Sequence, residues 1–348
     1  MYTYFSKYVG RLQIMERKIE KFLQKWQKDI IRKPLVLYGP KQVGKSYSAL
    51  AFGNYKNTIY FNTNSNKTLE ELFVKEKSTD RLILNLSLIS GETILPEDTL
   101  LIFDNVNSLE IIKGLKLFGS EHSKYHIIAI TSRRENLMEF KGEELQFKGM
   151  NEMDFEEFLW AKNEKALAEL IQERKTCPFH KLALELFQEY LMTGGFPEVI
   201  MANLEGKSEY ELDIMKQKIL EVYERELIAS KTLIDIPRGL EVIESIPEQL
   251  KKENKKFQYG LIGAGKRAKE YEGAINYLVS NQIAYRSYKI STVKSPLSSC
   301  RETDSFKLYL PDDGMLSGML HVTLKQLLSD EKLKEILYEN SIAKTLAE

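Results

Sequence analysis

The sequence predicts an α/β protein in which a doubly wound parallel sheet fills the first 150 residues and a mainly helical half follows. Three observations predict it. Short apolar runs alternate with helical stretches between residues 35 and 130, as in strands joined by crossover helices. A glycine-bearing loop, residues 39–46, joins the first of those runs to a helix. From Met153 onward the apolar period becomes helical, and two strand-like segments return only at 284–290 and 305–310.

The first element is a helix over residues 12–29, with Ile14, Ile19, Phe22 or Leu23, and Trp26 recurring at spacings of three to five among charged residues. Pro34 opens the apolar run Leu35-Val36-Leu37-Tyr38, a buried strand. Further strands are expected at 58–61, 100–103 and 126–130. In the second half, Phe155, Phe158 and Leu159 share a helical face, and helices are expected at 181–192 and 209–227. The chain breaks near Pro237. Helices at 243–252 and 269–279 then precede the two strand-like segments, the order of a helix-turn-helix with a β-hairpin wing. The domains expected are a nucleotide-binding domain (1–150), a helical lid (151–235), a winged-helix-like domain (236–320) and C-terminal helices (321–348).

Composition excludes several classes. Lys plus Arg equals Asp plus Glu at 50 each, so net charge says nothing about nucleic acid or membrane, and only local clusters can. Cys177 and Cys300 share no short spacing, and four histidines form no metal-ligand pattern. No apolar run approaches the roughly 20 residues of a membrane span, and the N-terminus lacks a signal-peptide core. A cytoplasmic protein is expected.

Gly39-Pro40-Lys41-Gln42-Val43-Gly44-Lys45-Ser46 matches the phosphate-binding loop G-x-x-x-x-G-K-[ST] at every fixed position. The two glycines let the backbone turn its N–H groups toward phosphates, Lys45 reaches the β- and γ-phosphates, and the Ser46 hydroxyl ligates Mg²⁺. Tyr47 begins the helix that follows. The loop implies bound ATP with Mg²⁺. Such sites also need a carboxylate near the metal. Leu100-Leu101-Ile102-Phe103-Asp104 is an apolar run ending in Asp104, at the strand end where open α/β sheets bind ligands. Asp104 is therefore a candidate metal residue or a turn residue. The next position is Asn105, which can hold a water but cannot accept its proton. Thr131 and Ser132, after the 126–130 strand, are candidate γ-phosphate sensors or turn residues.

These motifs, in order, resemble the prokaryotic AAA-type ATPases that carry a C-terminal domain of unknown function, relatives of archaeal and signal-transducing ATPases. The resemblance rests on residues 32–46, Leu101-Ile102-Phe103-Asp104, Met153-Asp154-Phe155-Glu156-Glu157-Phe158-Leu159, Gly194-Gly195-Phe196-Pro197-Glu198, residues 245–250 and residues 306–316. It implies an AAA-like sheet, a lid, a winged-helix-like region, and Pro197 against the adenine; taken alone, Gly-Gly-Phe-Pro is a helix stop and a turn. Members usually show Asp-Glu where this chain has Asp104-Asn105, and acidic residues where it has Asn62-Thr63-Asn64-Ser65. These departures imply impaired hydrolysis with binding intact. Residues 338–348 resemble the helix that introduces a nuclease-like region in many members, and the chain stops there.

Residues 251–269 carry seven basic residues against Glu253. Within that patch Lys255, Lys256, Lys266 and Arg267 are candidate contacts to double-stranded DNA, or to an acidic protein partner. The expected function is an ATP-dependent switch with weak hydrolysis. The alternatives are a non-hydrolysing ATP-binding scaffold that recruits DNA or protein, and a kinase-like transferase, for which neither a catalytic acid nor a substrate lid is visible.

Overall fold

The computed structural model describes residues 15–53, 55–119, 124–134, 137, 140, 144–174, 178–229 and 236–347. They fall into two compact units, one ending at Asn151 and the other beginning at Glu152.

In the first unit, helix α1 (Lys18–Gln27) buries Ile19, Leu23 and Trp26 on one face. Residues 15–17 are not helical, and residues 12–14 of the expected helix lie outside the described residues. Trp26 Nε1 donates to the Lys33 carbonyl at 2.8 Å and so closes the loop into strand β1 (Leu35–Tyr38). Then follow α2 (Lys45–Ala51), β2 (Asn57–Asn62), α3 (Lys67–Lys75), α4 (Thr79–Ser90), β3 (Thr99–Asp104), α5 (Leu109–Leu115), β4 (His126–Thr131) and β5 (Gln146–Gly149). The five strands form one sheet in the order β2-β3-β4-β1-β5, and every pairing is parallel. This is the α/β P-loop architecture that the alternating pattern predicts.

Burial explains which strands were visible in the sequence. Every residue of β3 and β4 is buried, so both read as unbroken apolar runs. β2 lies at an edge and buries only Ile59 and Phe61, which leaves Tyr60 and Asn62 on the opposite face. Phe61 stacks on Phe103 at 5.1 Å, and Phe73 of α3 meets Phe103 edge-on at 5.5 Å, in the core beneath the sheet.

The second unit contains α6 (Phe155–Ala161), α7 (Lys165–Gln172), α8 (His180–Thr193), α9 (Pro197–Leu204), α10 (Glu209–Ala229), α11 (Ile236–Leu250), α12 (Ala268–Ser280), β6 (Tyr285–Ile290), β7 (Arg301–Tyr309), α13 (Asp313–Leu320), α14 (Leu324–Ser329) and α15 (Glu331–Ala347). α6 opens on a capping box in which Asp154 and Glu157 each accept from the other's backbone N–H. α11 begins seven residues before the expected 243 and carries Pro247 inside it. β6 and β7 pair antiparallel, from Tyr285 opposite Tyr309 to Ile290 opposite Arg301. Among the described residues, no helix is long and apolar enough to cross a membrane.

Two motifs far apart in sequence interlock in this unit. Gly194, after α8, has φ +80°, and a Cβ there would come within 2.3 Å of the Asp312 carboxylate. Asp312 is fully buried; its two oxygens accept from the Gly195 N–H at 2.6 Å and the Met315 N–H at 2.8 Å. Its neighbour Asp313, also fully buried, accepts from Asn340 at 2.8 Å and from Lys344 at 3.1 Å. Lys344 donates in addition to the Tyr190 hydroxyl at 2.8 Å.

Candidate functional site

The site is built at the C-terminal ends of the strands of the first unit. β1 delivers the chain into Gly39, whose φ is +148° and whose Cβ, if present, would lie 2.0 Å from the Met150 carbonyl oxygen. Only glycine passes there. Gly39 N–H donates to the Thr131 carbonyl at 3.3 Å, which fastens the start of the loop to the end of β4. Pro40, Lys41 and Gln42 form the turn, Val43 is fully buried, and Gly44, at φ +93°, caps α2. Lys45 is nearly buried, and its ammonium donates to the carbonyls of Gly39 (2.8 Å) and Pro40. These bonds hold the lysine against its own loop.

Ser46 and Asp104, the two candidate metal residues, lie in direct contact. β3 is separated from β1 by β4, yet the Ser46 hydroxyl donates to Asp104 Oδ2 at 2.6 Å. A hydroxyl and a carboxylate are the hard oxygen donors that Mg²⁺ takes, and the open glycine loop beside them suits phosphates. The residues present therefore fit Mg·ATP.

Asn105 follows Asp104 in the left-handed conformation, φ +57°. Asparagine tolerates that region better than most residues. Its N–H donates to Asp104 Oδ1 at 2.7 Å, and its side-chain amide faces Asn62 Oδ1 at 3.5 Å. Thr63 Oγ1 donates to the Asp104 and Asn105 carbonyls at 3.1 and 2.7 Å. Asn107 donates to Asn64 at 3.0 Å. The ends of β2 and β3 are thus stitched by neutral amides where the resembled family carries acids.

Thr131 is buried, and its hydroxyl accepts from the Arg133 N–H at 3.1 Å, so it caps its own turn. Ser132 stands next to it, just past the C-terminal end of the central strand β4. Tyr47 lies one residue beyond Ser46, beside a cavity of 380 Å³ that Met15, Glu20, Gln24 and Phe52 also line. Pro197 lies in the second unit, at the first position of α9, where proline's fixed φ and missing N–H suit a helix start.

Two contributors escape sequence reading. Arg17, 6% exposed, donates to the Val43 carbonyl at 2.7 Å and to the Asn151 carbonyl at 2.9 Å, which clamps the crest of the loop from the residue that caps α1. Tyr60 donates to Asp104 Oδ2 at 2.7 Å. Burial, and then the adjoining Asp104, push its phenol above the ordinary value, so it stays a donor.

Three of the seven basic residues of the patch are engaged in internal pairs. Lys255 is 6% exposed and donates to Glu335 at 2.8 Å and to Glu339. Burial works to raise the Glu339 carboxyl, but hydrogen bonds from Lys255, Lys307 and Tyr309 pull it down to about 2. Lys266 pairs with Glu241 at 3.4 Å, and Lys251 with Glu248 at 2.6 Å. Lys256 and Arg267 remain exposed. The expectation that Lys255 faces DNA is therefore corrected: it is a buried counter-ion to α15.

Comparison with known proteins accords with this geometry. Residues 31–159 match an AAA domain, and residues 184–326 match a domain of unknown function, DUF8612. No curated protein matches the chain. Among solved structures, the Walker-type ATPase Paby2304 of Pyrococcus abyssi is similar at a TM-score of 0.52 and 14% identity, over 89% of this chain and 97% of that one. At that identity the likeness speaks to fold. The chain is thus similar to AAA domains over residues 31–159 and to a domain of unknown function over residues 184–326, on an α/β P-loop fold.

Proposed function

We propose that the first unit binds Mg·ATP and that the protein acts as a nucleotide-dependent switch with slow hydrolysis. The observation that carries this reading is the Ser46–Asp104 contact followed by Asn105. The groups that hold metal and phosphate are intact, and the position for a water-activating carboxylate holds an amide. Lys45 and the loop N–H groups would take the phosphates; Ser46 and Asp104 would hold Mg²⁺. Bound Mg²⁺ supplies neutralisation of charge on the β- and γ-phosphates. Asn105 and Asn62 can orient a water by hydrogen bonds, but neither can take its proton at neutral pH.

Steady-state ATPase measurements test this. Wild-type turnover is expected well below about 1 s⁻¹, the lower end of typical enzymes. Asn105→Glu is expected to raise it about tenfold or more. A general base contributes on the order of 10²–10⁴-fold, and a glutamate held at positive φ costs roughly 1–2 kcal/mol, which offsets part of that gain. A wild type that already turns over at about 1 s⁻¹ would overturn the slow-hydrolysis reading. The order α11, α12, β6, β7 supports a winged-helix-like arrangement, through which a scaffold would recruit DNA or a protein partner. The same assay separates the scaffold from the switch, since the scaffold needs no turnover.

A further inference from the structure

We infer that Tyr60 is a positioning residue for Mg²⁺: its phenol fixes the Asp104 carboxylate in the orientation that the metal needs. This rests on the Mg·ATP reading above. The sheet register places the two residues together. Asn62 of β2 lies opposite Asp104 of β3, and Tyr60 lies opposite Ile102. Side chains alternate along a strand, so Tyr60 and Asn62 share a face, the one opposite the buried Ile59 and Phe61. A tyrosine two residues back is long enough to reach diagonally to the neighbouring strand's terminal carboxylate, and its hydroxyl arrives at Asp104 Oδ2 at 2.7 Å.

An ionised carboxylate offers about four lone-pair sites. Here Oδ2 takes two hydroxyls, from Ser46 at 2.6 Å and Tyr60 at 2.7 Å, while Oδ1 takes the Asn105 N–H at 2.7 Å. The terminal torsion of an aspartate is otherwise broad and two-fold. Donors on both oxygens, from three different segments, remove that freedom before any metal arrives. Outer hydrogen-bond partners of metal ligands carry substantial metal affinity, commonly 10–100-fold. The Ser46 hydroxyl belongs to the loop, and the Asn105 N–H belongs to the backbone turn. Tyr60 contributes a side chain that can be changed without touching either.

Tyr60→Phe deletes one oxygen from a half-buried ring and is expected to fold. The probe is a fluorescent ribose-modified ATP, titrated with Mg²⁺ at fixed nucleotide and, separately, bound in EDTA. The Mg²⁺ midpoint is expected to rise about tenfold in Tyr60→Phe, with metal-free affinity and melting temperature little changed. In an Asp104→Asn background the same substitution is expected to have little further effect, since the metal-binding carboxylate it orients is gone. An unchanged midpoint overturns the inference, as does an equal loss with and without Mg²⁺, or an effect that persists undiminished beside Asp104→Asn. A wild type that binds the probe no better with Mg²⁺, and no better than Lys45→Ala, removes the Mg·ATP reading itself. That outcome is distinct from a Tyr60→Phe protein that merely behaves as wild type.

Discussion

Lys45→Ala is expected to weaken ATP binding at least about a hundredfold while the protein stays folded. Hydrogen bonds to charged groups contribute roughly 1.5–3 kcal/mol each, and each 1.4 kcal/mol is about tenfold in affinity, so losing two to the phosphates exceeds that threshold. The fold should survive because other contacts hold the loop. Gly39 N–H remains on the Thr131 carbonyl, Arg17 remains on the Val43 carbonyl, and Val43 remains buried. The lysine's present bonds to the Gly39 and Pro40 carbonyls are local and replaceable by water. Lys45→Met, which keeps the stem in its nearly buried slot, should lose ATP equally. Isothermal titration with ATP and Mg²⁺, paired with a thermal melt, measures both quantities. A folded variant with wild-type affinity would remove the loop from the nucleotide site.

The site was legible where one short segment dictates its own chemistry. Residues 39–46 can be read without any partner, because the glycines, the lysine and the serine act through local backbone shape. Asp104 was legible because β3, buried on both faces, ends in a charge at the ligand-binding edge of the sheet. Tyr60 was not, because its role depends on the register between β2 and β3, which no local pattern encodes. β5 was missed for a related reason: Gln146-Phe147-Lys148-Gly149 is an edge strand, half-buried at every residue, and shows no apolar run. Lys255 was misread as solvent-facing because a charge run counts formal charges and not their distant partners; Glu335 and Glu339 lie 80 and 84 residues further on. Cys177 lies outside the described residues.

The buried cluster around Lys344 predicts the largest stability effect. Lys344 and Asp313 are both nearly or fully buried and stand 3.1 Å apart, with Asp312 next in sequence and Asn340 and Tyr190 completing the hydrogen bonds. Burial by itself would lower the pKa of Lys344; Asp313, then Tyr190 and Asp312, override it and hold the ammonium well above its ordinary value. Asp312 is raised by burial, with Lys344 working against the rise. Breaking a buried pair by removing one member costs about 3–5 kcal/mol, because the remaining charge is left uncompensated. Lys344→Met is therefore expected to lower the melting temperature of the second unit by roughly 6–20 °C, at about 2–4 °C per kcal/mol for a unit of this size. The deficit should depend on pH in a definite direction. Without Lys344, the folded-state pKa of Asp312 climbs further above its unfolded value of about 3.9. Stability tied to a raised pKa is present below the unfolded value and is lost as pH rises through the folded one. The gap between variant and wild type should thus be widest near neutrality and narrow as pH falls toward the carboxylate range. Adding Asp313→Asn to Lys344→Met should recover part of the loss, since it removes one of the stranded charges. Denaturant melts of the three proteins at pH 5 and pH 8 decide the matter. A deficit that is the same at both pH values, or that Asp313→Asn deepens, would mean that Lys344 stabilises the unit by the burial of its stem and not by its charge.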